Sequence, residues 1–174
     1  RLARAVGVVA ELVLAERGPD IVLASLARAG TPVGALLRRW AATRHGLTLP
    51  HYAVSIVRGR GIDPVALRHL AEHHDPARVV FVDGWTGKGA INRELAAALA
   101  GTAFSPELAV LADPGRCTRT FGTRDDCKRA IAAASALSRP SSTLPPSELA
   151  TPLLARMPSR IVPTIATTMP VSSR

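Results

Sequence analysis

The chain has 174 residues and a formal net charge of +9, and 47% of its residues are hydrophobic although only 3% are aromatic. This length and composition favour one α/β domain with a core rich in Ala, Val and Leu. They exclude a membrane-spanning protein, because no apolar run approaches the roughly 20 residues that cross a bilayer. Cys117 and Cys127 are too few for a disulfide scaffold, and no signal peptide precedes the fold, so we expect a cytoplasmic protein.

The net charge does not by itself predict a nucleic-acid partner. Residues 127–174 carry +5 of the +9, so more than half of the excess lies in the last part of the chain. A run of like charge is more typical of a solvated surface than of a nucleic-acid groove. We therefore do not expect residues 1–126 to bind nucleic acid.

The chain opens with a helix, a strand and a second helix. Apolar periodicity predicts an amphipathic helix over residues 5–16, and a strand follows over residues 21–26. The next helix is predicted over residues 33–44. Strand, loop and helix in this order are typical of a parallel α/β sheet.

The loop after the first strand contains Arg28, Ala29 and Gly30. Its backbone N–H groups and the guanidinium could bind a pyrophosphate, because arginine matches phosphate oxygens with two hydrogen bonds. An ordinary turn with one exposed arginine is the alternative interpretation.

A second strand is predicted over residues 51–57. Arg58 and Arg60 then lie among glycines, in a flexible basic loop that could close over an anionic substrate. A solvated turn would have the same composition. Asp63 is a predicted N-cap, and a helix follows over residues 64–73.

The middle of the chain combines a strand, an acidic residue, a glycine-rich turn and a helix. Residues 79–82 predict a buried strand, Asp83 is expected where it ends, and the helix is predicted over residues 91–100. Free N–H groups and the helix dipole favour an anion in such a turn. A carboxylate at the end of the strand can accept hydrogen bonds from ribose hydroxyls or help to hold a metal.

The turn offers four candidate phosphate ligands, Thr86, Gly87, Lys88 and Gly89. Their spacing matches neither the nucleoside-triphosphate loop nor the dinucleotide fingerprint. The alternative is a tight turn whose glycines only satisfy the backbone geometry.

A fourth strand is predicted over residues 108–112, so that strands and helices alternate as in a mostly parallel, doubly wound sheet. The loops that follow the strands of such a sheet can converge on one crevice.

Residues 127–174 are rich in Ala, Ser, Thr and Pro, and this composition predicts a disordered tail. This tail is either a natural extension or the product of a shifted reading frame, and we expect the domain over residues 1–126 to be incomplete at its C-terminal end.

Three segments together resemble one known family: LASLARAGTPVG at residues 23–34, HYAVSIVRGRGID at residues 51–63 and VFVDGWTGKGAI at residues 80–91. It is the phosphoribosyltransferase-like family of bacterial tellurium-resistance and stress-response operons, also classified as the N-terminal domain of the cysteine protease StiP family. The resemblance covers roughly residues 5–126.

The resemblance implies a type I phosphoribosyltransferase fold that binds phosphoribosyl pyrophosphate with Mg²⁺ and transfers phosphoribosyl to an unidentified base. Asp83 would face the ribose hydroxyls and help to hold the metal. Residues 86–89 would bind the 5′-phosphate and residues 28–30 the pyrophosphate, and Arg58 and Arg60 would lie near the mobile loop. A homodimer is compatible with the resemblance.

Two other interpretations stay open. Typical type I enzymes have a second acid where Gly84 stands, so a non-catalytic module that binds a sugar phosphate is one of them. The other is a cysteine protease whose nucleophile is Cys117, near Arg116 and Arg119, with a histidine such as His51 as its base.

Overall fold

The computed structural model of the protein describes residues 2–26 and 28–126. The tail predicted over residues 127–174 lies outside the described residues. The helices are α1 (Leu2–Arg17), α2 (Gly30–His45), α3 (Pro64–His73) and α4 (Ala90–Leu99), with a 3₁₀ helix at Pro76–Arg78. The strands are β1 (Val22–Leu26), β2 (His51–Val54), β3 (Ile56–Val57), β4 (Gly61–Ile62), β5 (Val79–Trp85), β6 (Leu108–Ala112) and β7 (Phe121–Thr123).

Five strands form one parallel sheet in the order β2-β1-β5-β6-β7. The chain leaves β1 towards β2 on one side and later returns to β5 on the other side. The strand order therefore reverses between β1 and β5, and the crevice beyond their C-terminal ends is the usual place for a ligand in such a sheet. We call this region the switch-point crevice.

Helices cover both faces of the sheet, as the apolar strands require. Every residue of β1 and β6 is buried. On one face, α2 packs against β1 and β5, and α1 packs against β6 and β7. On the other face, Phe81 is clustered with Leu70 of α3 and Leu95 of α4. Burial of each such side chain stabilises the fold by about 2 kcal/mol.

The prediction that the central strand ends at Asp83 is wrong by two residues. β5 continues to Trp85, which still pairs with Ala112 of β6, and the Thr86 N–H donates to the Ala112 carbonyl at 3.2 Å. The neighbouring strand thus keeps the chain extended through Gly84. Asp83 lies inside the strand, opposite Val110.

The predicted strand over residues 51–57 is two strands. β2 ends at Val54, and β3 pairs antiparallel with β4 in a separate hairpin. The chain turns away at Ser55, whose carbonyl accepts a hydrogen bond from the Asp63 N–H at 2.9 Å. The basic loop is therefore the turn of this hairpin. Asp63 caps α3 as predicted, because its Oδ1 accepts from the Val65 N–H at 2.9 Å.

No helix within residues 2–26 and 28–126 has both the length and the apolar character to cross a membrane.

Candidate active site

The switch-point crevice brings two of the predicted site segments together. Gly30 begins α2 directly against β5: a Cβ added there would lie 2.3 Å from the Val82 carbonyl oxygen and 3.2 Å from the Asp83 Cα. A larger residue could not approach the strand this closely. The loop at residues 28–30 thus lies against the backbone of β5 at Val82 and Asp83, and the Arg28 side chain is exposed.

The Asp83 carboxylate is buried, with 9% of the residue exposed. Burial raises its pKa to about 6, and a 2.7 Å hydrogen bond from the Gly84 N–H to Oδ1 offsets only part of this effect. Near neutral pH the group is ionised in a site that stabilises its charge poorly. A buried carboxylate of this kind favours a ligand that brings hydrogen-bond donors or a cation.

The Gly-rich loop, residues 86–89, leads from β5 into α4. Gly87 and Gly89 adopt φ angles of 59° and 78°, which side chains rarely allow, and the Gly89 N–H donates to the Thr86 carbonyl at 3.0 Å. Gly89 is the N-cap of α4 and provides no side-chain cap, and the first turn has no acidic residue. The first-turn N–H groups and the helix dipole thus favour an anion at this end of α4.

Asp113, the residue that follows β6, holds the Gly-rich loop in place through hydrogen bonds. The residue has no exposed surface. Its carboxylate accepts hydrogen bonds from Thr86 Oγ1 at 2.6 Å, the Cys117 N–H at 2.8 Å, the Thr118 N–H at 3.2 Å and Arg124 Nη1 at 2.7 Å. Burial alone would raise the pKa of Asp113, but these donors lower it below its ordinary value. The carboxylate therefore joins the loops that follow β5 and β6.

Cys117 lies against the Gly-rich loop. A Cβ added to Gly89 would be 2.9 Å from the Cys117 Sγ, and one added to Gly115 would be 2.2 Å from the Gly87 carbonyl oxygen. Asn92 of α4 donates a hydrogen bond from Nδ2 to the Cys117 carbonyl at 3.1 Å. The sequence suggests different functions for the Cys117 thiol and for the predicted phosphate loop. In the structure the two are adjacent and form one site.

The structure separates His51 from Cys117, so the predicted pairing of these two residues is wrong. His51 lies on β2, whereas Cys117 lies in the loop that follows β6. The strands β1 and β5 lie between β2 and β6, so β2 and β6 are roughly 14 Å apart at normal strand spacing. Its Nε2 forms a 2.8 Å hydrogen bond with the buried Ser25 Oγ. Burial, followed by the charge of Arg38, lowers the pKa of His51, which keeps the ring neutral.

The other histidines have their contacts elsewhere in the described part of the chain. His45 forms a hydrogen bond with Glu11 and His74 forms one with Tyr52. The rings of His69 and His73, both on α3, contact each other at a tilt of 32°. None of these contacts involves Cys117.

Arg58 and Arg60 lie at the exposed turn of the β3–β4 hairpin, which packs on α4. The Gly59 and Gly61 N–H groups both donate to Glu94 Oε1, at 3.0 and 3.2 Å. Glu94 therefore positions the basic turn beside the helix that the Gly-rich loop begins.

Residues 2–26 and 28–126 contain no group of three or more His, Cys, Asp or Glu arranged around a metal position. Asp83 is thus a single carboxylate donor. This fits Mg²⁺ when a substrate diphosphate and water provide the remaining oxygens, which is the usual way that Mg²⁺ binds with phosphorylated substrates.

A family described as "Tellurite-like stress resistance cysteine protease StiP" matches residues 1–140. The chain belongs to the StiP family. The protein "Cysteine protease StiP" of Acinetobacter baylyi is 43% identical over 130 residues, which are 72% of this chain and 34% of the relative. The chain therefore spans about a third of the length of that curated relative.

Solved structures show which fold this StiP-family chain has. Hypoxanthine phosphoribosyltransferase from Trypanosoma cruzi, in complex with the product IMP, is 17% identical, with 70% of each chain covered and a TM-score of 0.52. A mutant of that enzyme, also complexed with IMP, is 16% identical, with 70% of this chain and 66% of that chain covered and a TM-score of 0.51. The predicted phosphoribosyltransferase-like fold and the predicted family are confirmed.

The sequence did not single out Asp113, Arg124 or Glu94 as site residues. The available signal for Asp113 is an acidic residue directly after an apolar strand, which is the same pattern that predicts a role for Asp83. Glu94 lies on the helix α4, and Arg124 follows the short strand β7. Single charged residues are common at such positions, so neither residue has a sequence signal comparable to that of Asp113.

Proposed function

We propose that this StiP-family domain binds phosphoribosyl pyrophosphate and transfers the phosphoribosyl group to a base, in a nucleoside-type biosynthesis linked to tellurium resistance and stress response. The observation that carries this proposal is the convergence of residues 28–30, Asp83 and the Gly-rich loop on the switch-point crevice. The phosphoribosyltransferase structures with the same fold contain a nucleotide product, which supports the same substrate class.

Each part of the crevice has chemistry for one part of the substrate. The 5′-phosphate would bind at the Gly-rich loop, where the first-turn N–H groups of α4 and the exposed Lys88 favour an anion. The ribose hydroxyls would donate hydrogen bonds to Asp83. The pyrophosphate would lie at residues 28–30, where Gly30 permits a close approach and Arg28 provides a guanidinium.

The transfer breaks the bond between ribose C1 and the pyrophosphate oxygen, and the electron pair leaves with pyrophosphate. A nitrogen lone pair of the base forms the new bond to C1, and the proton of that nitrogen is released to water or to the departing pyrophosphate. Positive charge develops on the sugar in the transition state, and the ionised Asp83 carboxylate stabilises it at short range. Arg28, with Arg58 and Arg60 on the hairpin, provides positive charge for the departing pyrophosphate.

Mg²⁺ would be held by Asp83 together with oxygens of the substrate. When bound, it supplies charge neutralisation for the diphosphate. Gly84 in place of a second acid leaves Asp83 as the one carboxylate at this position of β5.

Calorimetric titration with phosphoribosyl pyrophosphate, with and without Mg²⁺, tests the sugar-phosphate site. We expect Asp83→Asn to weaken binding at least tenfold, because a hydrogen bond to a charged group contributes about 1.5–3 kcal/mol. Asp125→Asn removes an exposed carboxylate and should bind as the wild type does. Equal affinity in all three proteins, or no binding by a folded chain, would contradict the proposal. Binding without release of pyrophosphate in the presence of bases would instead identify a non-catalytic module.

Cys117 favours a second candidate function, cysteine-dependent peptide cleavage. Its Sγ lies against Gly89 at the positive end of α4, and the curated relative is named a cysteine protease. The base would have to come from outside residues 2–26 and 28–126, because the histidines there have other contacts. Peptide cleavage that Cys117→Ser abolishes and Asp83→Asn leaves intact would support this function over the transferase.

The position of Cys117 also gives a direct measure of ligand at the Gly-rich loop. In a Cys127→Ser background, saturating phosphoribosyl pyrophosphate should slow the reaction of Cys117 with iodoacetamide about tenfold, because the bound phosphate would cover the thiol. Ribose without phosphate is the matched control and should not protect. An unchanged rate with the phosphorylated sugar, measured by mass spectrometry, would place the phosphate away from this loop.

A further inference from the structure

A groove of about 370 Å³ runs along the flank of α4, between this helix and the β3–β4 hairpin. It is lined by Arg58, Ala90, Arg93, Glu94 and Ala97. The four helical residues are spaced i, i+3, i+4 and i+7, so they share one face of α4. Ala97 lies two turns beyond Ala90, roughly 10 Å along the axis, so the groove extends well past the Gly-rich loop.

The side chains that line this groove give it a net positive charge. Arg58 comes from the hairpin and Arg93 from the helix, and the ion pairs within the described part of the chain involve neither guanidinium. Glu94 is the one acidic lining residue, and its Oε1 accepts the Gly59 and Gly61 N–H groups. The carboxylate therefore docks the hairpin instead of pairing with an arginine.

Arg93 is held in place by the loop that precedes α4. Its Nη1 donates to the Lys88 carbonyl at 3.2 Å, which uses one of the five donors of the guanidinium. The two alanines add only methyl groups to the wall of the groove, so a ligand can approach the helix backbone. Two guanidiniums on different elements, with small residues between them, are suited to an oxyanion that accepts from both.

We propose that this groove is an anion-binding subsite, which holds the phosphate group of a small ligand between Arg58 and Arg93. It rests on the proposed function and deepens it, because Arg93 contacts the Gly-rich loop and Arg58 lies on the basic turn assigned there to the departing pyrophosphate. A volume of about 370 Å³ accommodates a small phosphorylated molecule. The bound oxyanion would also join the hairpin to α4 at the point where Glu94 already docks it.

Titration of the ¹⁵N-labelled chain with inorganic phosphate, followed through backbone amide shifts, tests this site without phosphoribosyl pyrophosphate. We expect saturable shifts at Gly59 and Ala97. Arg58→Gln and Arg93→Gln should each weaken the apparent affinity at these amides about tenfold, because each removes a charge-assisted contact. Arg68→Gln removes an exposed charge from α3 and should leave the affinity unchanged.

Three outcomes would overturn the proposal. Shifts confined to residues 86–89 would mean that phosphate binds only at the Gly-rich loop. Equal weakening by Arg68→Gln would indicate general charge attraction, and shifts without saturation would indicate an adventitious ion only.

Arg58→Gln changes an exposed turn and leaves the Arg93–Lys88 contact in place, so it separates lost binding from a disturbed loop. Asp83→Asn should weaken binding of phosphoribosyl pyrophosphate and leave the inorganic-phosphate shifts at Ala97 unchanged, so failure of the proposed function and failure of this subsite are distinguishable.

Discussion

Asp113→Asn should lower the free energy of unfolding by about 3 kcal/mol, although the two side chains have nearly the same volume. The wild-type carboxylate accepts from four donors and has no exposed surface. An amide lacks the charge that pairs with Arg124, and its NH₂ group must point a hydrogen at one of the remaining donors. The Arg124 side chain is 39% exposed, so water compensates part of the loss, and we expect the lower end of the range for broken buried pairs. Urea unfolding followed by tryptophan fluorescence measures the change.

Asp125→Asn is the control for this substitution, since it makes the same chemical change at an exposed position. It should stay within about 0.5 kcal/mol of the wild type. The effect of Asp113→Asn should also depend on pH. The folded-state pKa of Asp113 is lowered, so its contribution is present above the ordinary value of 3.8 and is lost as the pH falls through the lowered pKa. A loss no larger than that of the control at pH 7 would mean that this carboxylate does not hold the loops together.

Local sequence patterns were sufficient for most of the fold. Apolar runs correctly predicted β1 and β6, and the Asp-Pro pair at residues 63–64 predicted the start of α3. The errors arose where a neighbour in space decides the structure. Pairing with Ala112 extends β5 to Trp85, and the antiparallel partner β4 separates β3 from β2. β7 has only three residues, too few for a periodic signal.

The candidate site was predictable to the extent that topology alone determines it. In a parallel sheet the loops that follow neighbouring strands meet, which brings residues 28–30 against β5 at Val82 and Asp83. The supporting contacts were not predictable, because they join residues far apart in the chain. Thr86 and Asp113 are 27 positions apart, and Gly59 and Glu94 are 35 apart. Such pairs depend on how helices and loops pack, which no spacing in one sequence records.

The contact between Cys117 and Gly89 connects the two functions suggested by the sequence. A phosphate on the Gly-rich loop and a reagent on the thiol would occupy adjacent space, because a single methyl group at Gly89 would already contact the sulfur. Binding at the loop and reaction at Cys117 should therefore compete. Arg116, whose φ of 54° is unusual for a residue with a side chain, lies next to Cys117 in this loop.

Asp83→Asn should stabilise the protein at pH 8 by about 2–3 kcal/mol and change its stability little at pH 4. Burial raises the pKa of the carboxyl from 3.8 to about 6. A group with a raised folded-state pKa contributes stability that is fully present below the unfolded value and is lost as the pH rises through the folded value. The wild type should therefore lose stability between pH 4 and pH 7 through this residue, whereas the uncharged amide should not.

The same substitution should weaken the proposed sugar-phosphate binding at least tenfold, so stability and binding are expected to move in opposite directions at Asp83. A carboxylate that destabilises the fold at neutral pH, in the crevice where ligands of this fold bind, is typical of a functional group and not of a structural one. Urea unfolding of the wild type, Asp83→Asn and Asp125→Asn at pH 4, 6 and 8 measures the first effect, and calorimetry on the same samples measures the second. Parallel pH profiles for wild type and Asp83→Asn would show that the buried charge carries no energetic penalty. A loss of stability at pH 8 would assign Asp83 a structural role.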